Sequence, residues 1–278
     1  MNKFSVLMPV GNRENPNNLK RCLDSIINQT RKPDEIVVVK DGKFGKKLNN
    51  VLKKYDLKII ELNEHKGIGY ALNIGIQNCK YNLIARMDSD DIALPNRFEL
   101  QLNRFQENKN LTILGGQILE FDKENIKKVR SVPTLYKDIL KYSKSRSPFN
   151  HMSVMYKKEA ILRLGNYIST PHFEDYYLWI KALQNNYYVE NLSEIIILAN
   201  NTSSTMKNRG GLKYIKPTLN FQKYLLKTKY INIFEFIKNV FIRLTVALVP
   251  NKIRAIIYHK FLRKEEKNNL VDEYKEFL

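Results

Sequence analysis

The amino-acid sequence predicts an α/β fold with a mainly parallel β-sheet, followed by a basic helical region. Within residues 1–200, short apolar runs alternate with segments in which apolar residues recur every three or four positions. This alternation is typical of β-α-β crossovers, which place helices on both faces of a parallel sheet. Of the 278 residues, 43% are hydrophobic, enough for a buried core, which excludes a disordered or collagen-like chain.

The predicted elements follow one another in a regular order. Strands are predicted at short apolar or β-branched runs, at residues 4–8, 36–39, 57–62 and 83–87. Helices are predicted where apolar residues keep helical spacing, at residues 19–27, 67–78 and 97–108, the last one opened by Pro95. Because ligands collect at the carboxyl ends of parallel strands, the acidic residues that follow the second and fourth strands are candidate site residues.

The N-terminal apolar run lacks the features of a signal peptide. It is short, meets Pro9 and offers no small-residue cleavage site, so we interpret it as a buried strand. The sequence contains no uninterrupted apolar window of about 18 residues, and a membrane-spanning helix is therefore not expected. Cys22 and Cys79 are the two cysteines, too few for a disulfide framework or a zinc cluster, which favours a reducing cytoplasm.

The net charge of the chain is +19, and it is unevenly distributed. Residues 207–264 contain 14 Lys and Arg and one acidic residue, a net charge of +13, whereas the rest of the chain carries +6. We therefore divide the chain into an α/β domain, residues 1–205, and a basic amphipathic helical region, residues 206–278. This excess of positive charge predicts an anionic partner: nucleic acid, anionic lipid or a phosphorylated substrate.

Apolar residues in the basic region keep helical spacing in two stretches, which Pro250 separates. The first stretch contains Ile233, Phe236, Ile237, Val240, Phe241, Leu244 and Leu248, and the second contains Ile253, Ile256, Ile257, Phe261 and Leu262. Helices with a wide apolar face beside Lys and Arg suit the surface of an anionic membrane. The same pattern fits helices packed on the protein's own core, and it leaves both interpretations open.

Three carboxylates follow the fourth predicted strand within four residues, at Asp88, Asp90 and Asp91. Like charges this close repel one another and raise each other's pKa, a conflict that a divalent cation removes. Oxygen ligands select hard ions such as Mg²⁺ or Mn²⁺, which keep waters and recruit substrate phosphates. The alternative is a solvated acidic turn that caps the helix beginning near Pro95. The position at the carboxyl end of a strand favours the metal site.

Nine segments of the sequence resemble, in order, the family 2 glycosyltransferases. They are residues 5–14 (SVLMPVGNRE), 25–30 (SIINQT), 33–37 (PDEIV), 41–42 (DG), 67–73 (GIGYALN), 85–91 (ARMDSDD), 95–98 (PNRF), 148–151 (PFNH) and 174–179 (EDYYLW). The resemblance covers about residues 3–200 and implies a GT-A fold, a Rossmann-like α/β domain that binds a nucleotide-sugar. It is nearest to bacterial transferases with an Asp-x-Asp-Asp motif that build O-antigen or capsule repeat units.

The resemblance also implies roles for individual residues. On the nucleotide side, Pro9, Val10 and Glu14 would line the pocket, Asp41 would accept a hydrogen bond from the uracil imide, and Lys66 and Arg86 would contact the nucleotide or its phosphates. Asp88 would lie near the ribose and the metal, and Asp90 and Asp91 would approach the metal. On the acceptor side, Asp175 would be the catalytic base, with His151, Glu174 and Trp179 as candidate acceptor residues.

Two residues depart from the family pattern. Gly11 stands where the family often has an aromatic residue, and Lys40 replaces the first carboxylate of a common Asp-Asp-Gly. Both substitutions affect the expected nucleotide preference. Without the resemblance, Glu174 and Asp175 would be interpreted as first-turn acids that stabilise a helix dipole, and Trp179 as a core residue.

The function that these observations predict is an inverting, metal-dependent hexosyl transfer. A UDP-sugar, with glucose or galactose favoured, would be the donor, and a polyprenyl-diphosphate-linked or other lipid-linked saccharide would be the acceptor, in cell-surface polysaccharide biosynthesis. The cofactor would be Mn²⁺ or Mg²⁺. The enzyme would bind an anionic membrane surface from the cytoplasmic side, with no nucleic-acid partner.

Two alternative functions were weighed against it. A sugar-phosphate nucleotidyltransferase also needs acidic metal ligands, but the N-terminal Gly-rich loop of that class is missing from the sequence. A basic nucleic-acid-binding protein would use the charge, but the sequence has no signature of the common nucleic-acid-binding motifs.

Overall fold

The computed structural model describes residues 2–122, 125–170, 172–200 and 212–248, together with Tyr274 and Phe277. The strands in these ranges are β1 (Phe4–Gly11), β2 (Glu35–Asp41), β3 (Lys58–Leu62), β4 (Leu83–Arg86), β5 (Ile92–Ala93), β6 (Leu111–Asp122), β7 (Asn125–Arg130), β8 (Met155–Lys157) and β9 (Tyr188–Asn200). The helices are α1 (Pro16–Ile27), α2 (Lys46–Leu52), α3 (Ile68–Asn78), α4 (Arg97–Glu107), α5 (Tyr136–Ser143), α6 (Lys158–Arg163), α7 (Glu174–Gln184), α8 (Leu212–Lys227) and α9 (Ile233–Leu248), with a 3-10 turn at His151–Ser153.

All of these strands belong to one sheet, and its N-terminal half is parallel. The strand order is β3-β2-β1-β4-β8-β6-β9-β5, with β7 paired to β6. The first four strands in this order run parallel, as the sequence predicts, and Val6 is in register with Ile36 on one side and Ala85 on the other. The second half is mixed, because β8 is antiparallel to both β4 and β6, while β9 is parallel to β6. The α/β class is confirmed, and the parallel pairing is confined to part of the sheet.

The two faces of the sheet bury different helices because side chains alternate along each strand. On β1, Phe4, Val6, Met8 and Val10 point to a core that α1, α2 and α4 complete. Leu7 points to the opposite face, where α3, α5, α6 and α7 cover the sheet. Both cysteines are buried free thiols in these cores. Because β1, β2 and β4 run parallel, their carboxyl ends lie at one edge of the sheet.

The described part of the basic region packs on the α/β domain. Phe221 of α8 lies 5.0 Å from the ring of Phe173 and 4.4 Å from that of Tyr176, measured between ring centroids. These residues form an aromatic core that α7 and α8 share. Tyr274 and Phe277 pack on a cluster that includes Ile92 and Leu119. Because α8 shares this core with α7, the predicted domain boundary at residue 205 stays a prediction.

The second predicted amphipathic stretch, residues 253–262, lies outside the described residues. In the part of the chain that the structure does describe, none of the helices combines the length and the apolar character needed to cross a bilayer.

Gly115 lies on β6 at a point of close packing. A Cβ atom there would overlap Asn191 Oδ1 and lie 2.9 Å from Phe149 Cδ1. Asn191 is buried, and its Nδ2 donates to the carbonyls of Pro133 and Pro148 at 2.6 and 3.0 Å. We expect Gly115→Ala to lower the free energy of unfolding by about 2–3 kcal/mol, measured by urea denaturation.

Gly11→Ala is the control for this prediction. A Cβ on Gly11 would have no described atom within 4 Å, and this glycine also lies on a strand. We expect its free energy of unfolding to stay within about 1 kcal/mol of the wild-type value. Equal stability of the two variants would contradict the close packing at Gly115.

Candidate active site

The candidate site lies at the edge where β1, β2 and β4 end. Parallel pairing brings Gly11 level with Asp41, and the acidic turn, residues 88–91, follows β4 directly. Pro9 and Val10 are both buried in β1, and the side chain of Val10 lies in the core. At this edge, Val10 can therefore contact a ligand through its backbone and not through its side chain. This juxtaposition agrees with the predicted position of the nucleotide pocket.

The acidic turn is partly buried and tied to its surroundings. Asp91 Oδ1 accepts a hydrogen bond from the amide N of Asn200 at 2.8 Å, at the end of β9. Ser89 Oγ donates to Glu14 Oε2 at 2.6 Å, which places Glu14 beside the turn. The thiol of Cys22 donates to the carbonyl of Asp88 at 3.1 Å from beneath. Contacts from three distant parts of the chain thus hold the turn in place.

The carboxylates of the turn fit a divalent cation. Burial, followed by the charges of Asp88 and Glu14, raises the pKa of Asp90 to about 7. Burial also raises the pKa of Asp91 well above its usual value, with the charges of Asp88 and Asp90 adding to the effect. Asp91 Oδ2 is buried and has no hydrogen-bond partner among the described residues. An oxygen donor set with unbalanced negative charge and an unpaired oxygen suits Mg²⁺ or Mn²⁺.

The side chains that the structure describes do not complete such a site by themselves. Within the described ranges, no three His, Cys, Asp or Glu side chains are gathered closely enough to hold a metal ion. Ions of this kind ordinarily keep waters and share their coordination with substrate phosphates. The turn is therefore suited to contribute part of a coordination sphere. The roles of Asp88, Asp90 and Asp91 as metal ligands stay predictions.

Two buried arginines lie against the turn. Arg86 Nη2 donates to Asp88 Oδ1 at 2.5 Å, while Arg86 Nε and Nη1 are buried with no hydrogen-bond partner among the described residues. Arg97 Nη2 donates to the carbonyl of Arg86 at 2.6 Å, and its other nitrogens contact Met87 Sδ and Gln101 Oε1. Burial, then the charge of Arg86, lowers the pKa of Arg97 to about 9. These side chains place positive charge directly behind three carboxylates.

Sequence reasoning assigned Arg86 to the site but gave Arg97 no role. Arg97 stands in the first turn of α4, in the PNRF segment that carries part of the resemblance. In the sequence, Arg97 is visible only as a charged residue between Pro95 and Phe98 at the start of an amphipathic helix. Such a residue is ordinarily solvated, and nothing in the local pattern indicates that the guanidinium turns back under β4.

The second strand ends in a carboxylate that is already engaged. Asp41 accepts hydrogen bonds from the backbone N of Lys66 at 2.7 Å and of Gly67 at 3.0 Å, and His65 Nδ1 lies 2.7 Å from its Oδ2. The loop before α3 thus fixes the carboxylate at the edge of the site. The side chain of Lys66 turns to Glu64 and is half-exposed. The part of Lys66 that lies beside Asp41 is therefore its backbone amide, and its contact with the nucleotide stays a prediction.

Lys40, the departure from the family pattern, points away from Asp41. Its ammonium donates to Asn49 Oδ1 at 2.9 Å and pairs with Glu61. Neighbouring residues of a strand face opposite sides of the sheet, so this cation does not replace a carboxylate at the edge of the site.

The acceptor side is built by α7 and the loops packed on it. Glu174 and Asp175 occupy the first turn of α7, and a Cβ on Gly69 would lie 3.7 Å from the Cβ of Glu174, which places the start of α3 next to this turn. His151 Nε2 lies 3.0 Å from the hydroxyl of Tyr167. Burial, then the charge of Arg86, lowers the pKa of His151 well below its usual value and keeps the ring neutral.

The expectation that Trp179 contacts an acceptor sugar needs correction. Its side chain is 0% exposed, and its ring packs edge-on against Phe149 at 5.2 Å and His151 at 5.9 Å. An indole enclosed on all sides cannot offer a face to a sugar. Its side chain packs in the core on the sheet and lies against His151.

One electrostatic network joins the two acidic groups. Burial raises the pKa of Glu174 to about 7, with the charge of Asp175 as the next cause. The charge of Asp88 raises it further, and that of Arg86 lowers it. Arg86 is therefore close enough to influence both the acidic turn and the Glu174–Asp175 pair. The arrangement can hold a negatively charged leaving group near the turn while a carboxylate on α7 receives a proton.

The fold and this site together define a nucleotide-dependent transferase of the α/β class. The chain belongs to glycosyl transferase family 2, whose family model matches residues 5–165. It is accordingly a glycosyltransferase with a GT-A fold, and the resemblance stated from the sequence is confirmed. Both the family and the relatives described below are glycosyltransferases, so neither the nucleotidyltransferase nor the nucleic-acid alternative gains support.

Two curated relatives match nearly the whole chain. The UDP-Gal:alpha-D-GlcNAc-diphosphoundecaprenol beta-1,3-galactosyltransferase of Escherichia coli is 38% identical over 271 residues, which cover 94% of this chain and 97% of that protein. The amylovoran biosynthesis glycosyltransferase AmsE of Erwinia amylovora is 33% identical over 261 residues, with 92% and 98% covered.

Solved structures show the same fold at low sequence identity. The structure of S. aureus TarS 1-349 in complex with UDP-GlcNAc has a TM-score of 0.60 at 19% identity and covers 94% of this chain and 71% of that one. The mannosyltransferase PcManGT from Pyrobaculum calidifontis, in complex with GDP-Man and Mn²⁺, has a TM-score of 0.61 at 15% identity, with 91% and 71% covered.

The raised pKa of Glu174 has a consequence for stability. A carboxyl whose pKa rises from 4.5 to about 7 on folding holds a proton that the unfolded chain has lost in this window, so folding stability falls as pH rises through it. The groups that act on it are Asp175, Asp88 and Arg86. We expect Glu174→Gln to be more stable than the wild type at pH 8 by about 1–3 kcal/mol, a difference that shrinks toward pH 5.

Thermal and urea denaturation at several pH values check this prediction. Glu159→Gln is the matched control, because Glu159 also stands in the first turn of a helix, α6, but is exposed. The control should follow the wild type at every pH. A Glu174→Gln protein that is less stable than the wild type at pH 8 would contradict the proposed burial of charge.

Proposed function

We propose that this enzyme transfers a hexose, galactose or glucose, from a UDP-sugar to a saccharide that is linked through a diphosphate to a lipid, with inversion at the anomeric carbon. The observation that carries the proposal is the 38% identity, over nearly the full length, to a transferase whose name specifies UDP-Gal as donor and GlcNAc-diphosphoundecaprenol as acceptor. The second named relative, an amylovoran biosynthesis glycosyltransferase, supports a role in cell-surface polysaccharide synthesis.

The donor would lie along the edge formed by β1, β2 and β4. Asp41, held by the amides of Lys66 and Gly67, would accept a hydrogen bond from the imide of uracil. Pro9, Val10 and Glu14 would border the nucleoside, and the diphosphate would reach the acidic turn. Asp88, Asp90 and Asp91 would hold Mn²⁺ or Mg²⁺, which, when bound, supplies positive charge to the departing diphosphate.

The chemical step needs one proton transfer and one substitution. The acceptor hydroxyl loses its proton to the carboxylate of Asp175, and its oxygen attacks the anomeric carbon from the face opposite the UDP. The bond from that carbon to the diphosphate oxygen breaks, and the electron pair leaves with UDP. Arg86, which already influences both acidic groups, stabilises negative charge on the leaving side. No covalent intermediate forms on the enzyme.

The acceptor side would be bordered by His151 and Glu174. A neutral, half-buried His151 beside Tyr167 can accept or donate a hydrogen bond without adding charge. Glu174 next to Asp175 would keep a negative potential around the base. A lipid-linked acceptor places the enzyme at the cytoplasmic face of the membrane, where both the nucleotide-sugar and the lipid are accessible.

The role of Asp175 is tested against a first-turn acid elsewhere in the chain. We expect Asp175→Asn to lower kcat by at least about 100-fold, because general-base catalysis contributes on that order, with folding stability maintained. Asp138→Asn is the control, since Asp138 is an exposed acid in the first turn of α5.

Asp90→Asn should likewise abolish metal-dependent transfer. Wild-type rates in the Asp175 or Asp90 variant would overturn the assignment.

The donor is tested by a screen. UDP-Gal, UDP-Glc, UDP-GlcNAc and UDP-GalNAc would be offered with Mn²⁺ and a synthetic GlcNAc-diphospholipid, and the product would be analysed by mass spectrometry and by NMR of the anomeric proton. We expect transfer of one hexose in β linkage. Preference for a UDP-N-acetylhexosamine, or an α-linked product, would contradict the proposal, while activity without any added divalent cation would contradict its metal dependence.

A further inference from the structure

The outer face of α9 exposes large apolar side chains. Phe234 is 80%, Phe241 71% and Ile237 58% exposed, and Ile233 and Ile242 are each 50% exposed. These five residues, which we call the α9 face, lie on one side of the helix because their spacing follows the helical repeat. A contiguous apolar surface of this kind on a chain with a net charge of +19 indicates a binding surface.

The opposite side of α9 is fixed to the rest of the protein. Asn239 is buried, and its Nδ2 donates to the carbonyl of Lys144 at 2.8 Å and to Gln222 Oε1 at 3.1 Å. Glu235 pairs with Lys144 at 3.0 Å. Arg243 Nη2 donates to the carbonyl of Ser145 at 2.7 Å. With polar contacts to the two residues that follow α5 and to α8, the helix cannot rotate its apolar face inward.

The same contacts connect the α9 face to the site. The guanidinium of Arg243 lies 5.7 Å from the ring centroid of Phe173 and 6.0 Å from that of Tyr176. Phe173 immediately precedes Glu174 and Asp175, and it stacks on Phe221 of α8. The α9 face therefore has a defined orientation relative to the two carboxylates of α7.

The charges around the face favour an anionic partner. Lys238 is exposed between the apolar residues of the face, and the surrounding sequence, residues 207–264, has a net charge of +13. Glu235, the one acidic residue in that segment, is turned toward Lys144. Apolar side chains flanked by lysines match the boundary between the headgroups and acyl chains of an anionic bilayer. Since α9 has 16 residues, it is too short to cross a bilayer.

We propose that the α9 face inserts into the headgroup region of an anionic membrane and thereby orients Glu174 and Asp175 toward an acceptor that is anchored in the same membrane. The second half of this statement depends on the proposed function, whereas the membrane contact itself does not. The face would lie parallel to the membrane, with Phe234 and Phe241 as the deepest anchors. The inner contacts of α9 would then transmit that orientation to α7.

The membrane contact is tested with the full-length protein and vesicles. Flotation would compare phosphatidylglycerol–phosphatidylethanolamine vesicles with vesicles of phosphatidylcholine alone. We expect binding to the anionic vesicles, weakened by salt, and a loss of about tenfold for each phenyl group removed in Phe234→Ser and Phe241→Ser. Leu135→Ser removes a large apolar side chain elsewhere that is 64% exposed, and this control should bind like the wild type.

Activity measurements separate this proposal from the proposed function. The double variant should transfer sugar to a water-soluble acceptor at the wild-type rate but lose activity toward an acceptor embedded in anionic vesicles. Unchanged vesicle binding in the double variant would overturn the membrane contact. A wild-type dimer that the double variant abolishes would also overturn it, since the face would then be covered by a second copy of the chain. Inactivity of the wild type toward both acceptors would count against the proposed function alone.

Discussion

The crowding of carboxylates at the end of β4 is the constraint on which the rest of the site depends. Asp88, Asp90 and Asp91 follow a buried strand, where each charge raises the cost of the others. The fold offsets this cost with Arg86 and Arg97, two guanidinium groups that are almost completely buried behind the turn. A site that retains so much unbalanced charge is preorganised for a cationic ligand and a polyanionic substrate, because little rearrangement is needed when they bind.

Arg86 connects this constraint to the acceptor side. Arg86 forms an ion pair with Asp88, and its charge also acts on Glu174 and on His151. Burial makes such long-range effects larger than they would be in water. The acidic turn and the Glu174–Asp175 pair are therefore parts of one electrostatic unit, although Glu174 lies 83 positions after Asp91 in the sequence. A change in charge at one of them alters proton affinity at the other.

Much of the fold could be predicted because its strongest signals are local. The apolar runs of β1 and β2 and the helical spacing of α1 each appear within a dozen residues, and the turn after β4 is visible as three acids. Strands β5 and β8 could not be predicted, since two or three residues carry no periodicity. Arg97 received no role because its environment is set by residues distant in sequence, whereas Trp179 was assigned to the acceptor through the resemblance alone, although its residue type indicated the core position that the structure shows.

The basic region illustrates the same difficulty on a larger scale. Helical spacing correctly placed apolar residues on α9, and it left open whether they face the core or a membrane. The structure shows that one side of the helix faces the core, where Phe236 packs toward the residues shared by α7 and α8, while Phe234 and Phe241 are exposed on the side for which we propose the membrane contact. A helix with two apolar sides needs two partners, and the polar contacts of Asn239 and Glu235 decide which side faces inward. The orientation of the exposed side is thus a consequence of hydrogen bonds made on the buried one.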